Sequence, residues 1–260
     1  MPSEERALTG VPGLDQMLGG GFLPRTANLV EGAPGCGKTT LGMQFIHYGA
    51  THGEPGLILT FEQFPEQYYR DAAGFGWDFR DLEQRRLLQV IMSSPEVTKA
   101  DLERFNGRIS GLVNSMGVKR ILVDSISQFE RLTDDPVELR NLLHGFLNAL
   151  RREGLTALLT REAYVLLGDE PHPNDETEES MSFLVDSYIM LRYVEIESAI
   201  HRAIIVLKMR GSAHDTHIRQ FDIGPDGLVV QAPFKGREGI LSGTPQYMAE
   251  SFIKAFVRRG

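Results

Sequence analysis

The 260-residue chain has a single cysteine, Cys36. That excludes an intramolecular disulfide framework and a cysteine-based zinc site, and it fits a reducing compartment. No apolar run approaches the roughly 18 residues that a membrane helix needs. The opening MPSEERALTG is polar and acidic rather than basic and then apolar, so no signal peptide is read and a cytoplasmic protein is expected. Basic charge is also short. Lys and Arg number 27 against 35 Asp and Glu, for a formal net charge of -8. This disfavours a protein that grips phosphate backbones over a broad surface, although a localised basic groove stays open. The sequence shows no internal repeat and no serine-hydrolase elbow. Its seven histidines have no metal-like spacing beyond His214 and His217, which read as ordinary polar loop residues.

The apolar share, 42%, is enough for one substantial core. Short β-branched or Leu-rich runs at 28–30, 57–61, 87–92, 121–123 and 155–160 alternate with segments of helical period. Such alternation predicts an α/β fold, a mostly parallel sheet covered by helices on both faces. Leu102, Phe105, Ile109, Leu112, Val113 and Met116 recur at helical spacing, as do Leu139, Leu142, Leu143, Phe146, Leu147 and Leu150. The second helix has Asp134 or Asp135 to cap it, Pro136 for its first turn and Gly154 beyond its end. After about residue 185 the pattern becomes two long runs joined by a short polar turn, then IRQFDI and GLVV across Gly224-Pro225-Asp226-Gly227, which predicts two antiparallel hairpins. Residues 168–180, GDEPHPNDETEES, read as a mobile loop. Residues 1–240 are expected to form one domain. In the tail, 241–260, Met248, Phe252, Ile253, Phe256 and Val257 would share one helix face.

Residues 32–39 read G-A-P-G-C-G-K-T, with an apolar run before them and a helical period after them. That is the strand, loop and helix context of a phosphate-binding loop. Gly32, Ala33, Pro34, Gly35, Cys36 and Gly37 would curl so that backbone N–H groups face phosphate oxygens, with the helix dipole behind them. Lys38 would reach the β- and γ-phosphates, Thr39 would ligate Mg²⁺, and Thr40 follows in the same turn. Chance alone gives the bare pattern in roughly 1% of chains of this length, and the correct flanks make an ordinary Gly-rich turn a poor alternative. R-I-L-V-D, 120–124, ends an apolar strand on Asp124, which would hold Mg²⁺ through its water shell, or else cap the next helix. T-F-E-Q, 60–63, ends another strand with Glu62, placed to act as base or to orient a water at the γ-phosphate. Its alternative role is a surface acid opening the helix near Pro65. Lys208 and Arg210 share one side of an extended chain and could meet a polyphosphate in their own subunit or a neighbour's, or could form a solvated basic edge. Spacing does not choose between these. Cys36 reads as a small residue filling space rather than a reactive thiolate.

With these pieces placed, the sequence resembles the KaiC branch of RecA-type P-loop ATPases. TGVPGLDQMLGGGF (9–22), GAPGCGKTT (32–40), TFEQFPEQ (60–67), FGWDF (75–79), ILVDSIS (121–127), YVEI and VLKMRGSAHDTHIRQFDI (206–223) carry the likeness. FGWDF, ILVDSIS and especially YVEI with the 206–223 segment are similar to the C-terminal ATPase half of the circadian clock protein of that family. The resemblance implies a RecA-like core, ATP and Mg²⁺ as cofactors, and a homo-oligomeric ring, usually a hexamer, with ATP between subunits. It implies that Lys208 and Arg210 act on the neighbour's γ-phosphate, that Ser212 and His214 lie near the neighbour's nucleotide, and that Glu62 is the catalytic glutamate. The family commonly doubles this acid, whereas here the second position is Gln63. A Ser-Thr phosphorylation pair in the clock protein falls on Ser182 and Phe183, so the hypothesis raised is autophosphorylation at Ser182 without a two-site cycle. The function implied is a regulatory ATPase switch, read by a partner that is KaiB-like or a signalling protein. The alternative is a RecA-like ATPase of recombination or repair on single-stranded DNA. The six carboxylates of 168–180, in the segment that faces DNA in such proteins, disfavour a nucleic-acid partner.

Overall fold

The computed structural model describes residues 5–104, 107–163, 181–196, 198–234, 237–238 and 246–247. In chain order these form α1 (Leu14–Met17), β1 (Ala27–Gly32), α2 (Lys38–Thr51), β2 (Gly56–Thr60), α3 (Pro65–Ala73), α4 (Phe79–Gln84), β3 (Leu88–Met92), α5 (Pro95–Glu103), α6 (Arg108–Met116) and β4 (Arg120–Asp124). A 3₁₀ helix (Ile126–Arg131) follows, then α7 (Pro136–Arg152), β5 (Thr156–Glu162), β6 (Ser187–Ile196), β7 (Ala199–Met209), β8 (Arg219–Gly224), β9 (Gly227–Pro233), β10 (Arg237–Glu238) and β11 (Gln246–Tyr247). The acidic stretch 168–180 and the apolar positions of the expected tail helix lie outside the described residues.

Nine strands make one sheet in the order β3-β2-β4-β5-β1-β6-β7-β8-β9. From β3 to β6 every pairing is parallel, and β7, β8 and β9 add antiparallel strands as the two hairpins. Alternation along the strands divides the core in two. Val30, Ile58, Leu122 and Leu158 pack with Leu41, Phe45, Tyr68 and Phe79 on the face of α2, α3 and α4. Leu29, Leu59, Val123 and Leu159 pack with Ile109, Val113, Leu143 and Phe146 on the face of α6 and α7. This two-sided burial is why the strands read as continuous apolar runs. The fold is thus the RecA-like α/β arrangement that the sequence predicts, with antiparallel strands at its C-terminal side.

Two local details follow from named residues. Asp135 caps α7 by accepting from the N–H groups of Val137 (2.8 Å) and Glu138 (3.4 Å), with Pro136 in the first turn. The helical period through Leu102 to Met116 belongs to two helices, not to one unbroken helix. The Asp101 carboxylate accepts from the N–H groups of Arg108 (2.7 Å) and Ile109 (2.8 Å), capping α6 from within α5. Gly107 sits at the break because a Cβ there would lie 2.1 Å from the Asp101 carbonyl oxygen. Among the described residues no helix is long and apolar enough to cross a membrane.

Candidate nucleotide site

The loop after β1 turns back into α2 at Gly37, whose φ of +111° is a left-handed conformation that a side chain would strain. A Cβ at Gly37 would also stand 2.8 Å from Ile223 Cδ1, so the loop lies directly against β8. No side chain caps the first turn of α2, which leaves its N–H groups to the cavity in front of it. That cavity, about 190 Å³, is lined by Pro34, Gly35, Lys38, Thr39, Thr60, Glu62, Gln63, Tyr68, Asp124, Ser125 and Glu162. Lys38 is buried and donates from Nζ to the carbonyl oxygens of Gly32 (2.8 Å) and Ala33 (3.1 Å). Cys36 is fully buried, and burial pushes its thiol up against the opposing pull of Lys38, so it stays a protonated packing residue. A larger groove of about 380 Å³, beside α7, contains none of the motif residues.

Parallel pairing aligns Thr60 with Asp124, and the strand alternation turns both, with Thr160, to the α2 face. Asp124 is therefore a meeting point of three elements. Its Oδ2 accepts from Thr39 Oγ1 at 2.9 Å and from Tyr68 Oη at 2.7 Å, while Oδ1 accepts from Thr160 Oγ1 at 2.5 Å. The next helix is capped by Ser125, whose Oγ accepts from the Ser127 N–H, so capping is not the role of Asp124. Burial first, and the Asp124 carboxylate second, hold the Tyr68 hydroxyl far above its ordinary range, which fixes it as a donor. A hydroxyl and a carboxylate within hydrogen-bonding distance form an all-oxygen donor set suited to a hard cation such as Mg²⁺. Glu62 is exposed and accepts from Gln128 Nε2.

The other candidate residues are elsewhere. Met209 pairs with Ser187, which pairs with Asn28, whereas Gly32 pairs with Leu191. Lys208 and Arg210 thus lie at the N-terminal end of the parallel strands, roughly 13 Å along the strand from the start of the phosphate loop. Their side chains turn further away. Lys208 Nζ donates to the carbonyls of Ser182 and Val185 (2.8 Å), and Arg210 to that of Phe183 (2.7 Å). Asp186 fastens this turn to the sheet, accepting from the Ala27 N–H at 2.8 Å and from Arg151 at 3.0 Å. Ser212 Oγ accepts from Arg6 at 2.7 Å, and Asp215, which neighbours the half-buried His214, donates its N–H to the Met17 carbonyl at 2.8 Å. His217 pairs with Asp215.

Tyr68, Gln128, Thr160 and Glu162 escape sequence reasoning. The last two stand at the carboxyl end of the strand beside β1, where ligands of open α/β sheets bind, and that position was the available signal. Tyr68 and Gln128 carry no signal, because their partners are distant in sequence.

The open parallel sheet, the glycine loop running into α2, and the Thr39–Asp124 contact define a P-loop nucleotide-binding protein of the RecA-like class. The family described as "ATPase: KaiC" matches residues 7–235. The chain is 36% identical over 252 residues to the "Circadian clock protein KaiC3" of Synechocystis sp., covering 97% of this chain and 48% of that protein. It is 36% identical over 243 residues to the "Circadian clock oscillator protein KaiC" of Thermostichus vulcanus, covering 94% and 46%. Against the protein of the same name from Synechococcus elongatus the identity is 34% over 243 residues, covering 94% and 46%. The chain belongs to the KaiC ATPase family, and it spans about half the length of the curated relatives it matches.

Proposed function

We propose that this KaiC-like ATPase is a cytoplasmic Mg²⁺-dependent regulatory switch. It works as a homo-oligomeric ring, a hexamer by family resemblance, with ATP between subunits, and its nucleotide or phosphate state is read by a protein partner, KaiB-like or a signalling protein. In this reading residues 1–240 are the ATPase unit and 241–260 a tail. Lys38 and the amides of 32–40 hold the phosphates. Thr39 and Asp124 hold Mg²⁺, which when bound would neutralise charge on the β- and γ-phosphates. Glu62 takes the proton of the attacking water or orients it.

The observation that carries the reading is the separation of Lys208 and Arg210 from the phosphate loop of their own chain. Cations at that end of the sheet serve a γ-phosphate only when it is bound by a neighbour, with Ser212 and His214 flanking the neighbour's nucleotide. Phe64, two residues after Glu62, and Phe183, next to Ser182 in the chain, are exposed apolar side chains that subunit contact would cover. Ser182 sits on the turn held by Lys208 and Arg210, so a phosphoryl group reaching it would come from the neighbour's ATP.

The test is incubation of purified protein with Mg²⁺ and γ-labelled ATP, with and without single-stranded DNA, dividing the label between free phosphate and protein. Label on protein is the expected result for a self-phosphorylating switch. Free phosphate alone leaves a switch read through its nucleotide, and strong stimulation by DNA would overturn the proposal in favour of a recombination or repair ATPase.

A further inference from the structure

We infer that Gln128 is the positioning residue for the Glu62 carboxylate, an inference that rests on reading Glu62 as the group that activates water. Glu62 follows β2 in a short loop and its side chain is exposed. An unrestrained glutamate of this kind samples several rotamers, and holding it in one costs conformational entropy. The residue beside it, Gln63, is neutral and lies on the same loop.

Gln128 supplies what the loop lacks. It is only 9% exposed, and it lies on the 3₁₀ helix between two buried apolar anchors, Ile126 and Phe129. That helix is pinned at its start by the Ser125 cap and on its side by Ser127, whose Oγ accepts from the Glu162 N–H at 2.9 Å. The amide nitrogen of Gln128 donates to Glu62 Oε1. A carboxylate only accepts, so the amide must present its nitrogen. The buried, pinned partner is the glutamine and the exposed, adjustable one is the glutamate, so the bond orders Glu62 and not the reverse. The tether holds one carboxylate oxygen and leaves Oε2 for a water. Because Asp124 stands four residues before Gln128, one short segment sets both the cation ligand and the water-activating group, fixing their relative placement to the rigidity of the sheet.

The experiment is single-turnover and steady-state ATP hydrolysis by the full chain carrying Glu62→Gln, Gln128→Met, Gln128→Glu and the double variant Glu62→Gln/Gln128→Met, with melting curves for each. Glu62→Gln is expected to lose about 100-fold or more in kcat. Gln128→Met, similar in size but without a donor, is expected to lose about 10-fold in kcat with KM for ATP within about twofold, because misplacing a catalytic group impairs the chemical step more than binding. The double variant should match Glu62→Gln alone, since a tether has no work once its carboxylate is gone. Gln128→Glu, which sets two carboxylates against each other, should lose more than Gln128→Met, and it serves in place of Gln128→Met if that variant melts early. An equal loss on adding Gln128→Met in both backgrounds, or no loss in the native one while Glu62→Gln is inactive, overturns the tether alone. Full turnover by Glu62→Gln overturns the reading of Glu62, and the tether with it.

Discussion

Lys208 donates from Nζ to the main-chain carbonyl of Ser182 at 2.5 Å, so the cation proposed for a neighbour's γ-phosphate is bonded to the turn that carries the proposed phosphosite. Burial and the nearby Arg210 charge hold its ammonium below the ordinary lysine range. A phosphoryl acceptor and a phosphate-binding cation would thus be presented together. Ser182→Ala should abolish label incorporated into protein while free phosphate is still released. Persistent label, located by peptide mapping, would move the phosphosite elsewhere.

Lys38→Ala removes the buried ammonium of the phosphate loop. A loss of transition-state charge stabilisation at such a site lowers turnover by about 100-fold or more. Pure variant protein with turnover near that of the native chain would refute the site.

Arg210→Ala should lower turnover, yet mixing it with Glu62→Gln should restore part of the activity. Each defective subunit supplies the other's missing group at some interfaces, as with an arginine acting in trans. Absence of restoration at every ratio, once mixed rings are demonstrated, would rule out the trans role.

Tyr68→Phe deletes one of the three hydroxyls that Asp124 accepts from. The expected cost is about 1 kcal/mol of stability, read from denaturant unfolding. Half-maximal turnover should need several-fold more Mg²⁺, by rough analogy with supporting contacts at metal ligands. Unchanged Mg²⁺ dependence would show that Tyr68 only packs.

His47 stacks on Trp77 at 5.3 Å between ring centroids, and burial, with a smaller effect from His52, lowers its pKa from the ordinary 6.5. The native state therefore resists a proton that the unfolded chain accepts, so stability is lost as pH falls below about 6.5 and is unaffected by this group well above it. His47→Phe should flatten the dependence of Tm on pH between about 7.5 and 5.5. An unaltered slope would assign the dependence to other groups.

The elements and the phosphate loop were legible in the sequence because their causes are local. Gly37, Lys38 and Thr39 sit within one turn, and the apolar runs record burial on both faces. Strand order was not legible, since periodicity says that a strand is buried and not which strand lies beside it. The same limit hid Gln128 from Glu62 and Tyr68 from Asp124, partners joined only by the crossing of the chain. The break at Gly107 was masked because Ile109 and Val113 keep the apolar phase while the Asp101 carboxylate starts a new helix. Lys208 and Arg210 illustrate the opposite case. Their spacing allowed three readings, and the antiparallel direction of β7 removes one of them, the phosphates of their own chain.

The antiparallel return of β7 also gives the molecule a direction. With the phosphate loop at one end of the sheet and Lys208 and Arg210 at the other, chains stacked head to tail would each present one half-site to one neighbour and the second half-site to another, and such stacking closes into a cycle or runs on as a filament according to the rotation between neighbours. On the proposed function no solitary chain holds a whole site. Specific activity would then climb with protein concentration, and dilution alone would act as an off switch.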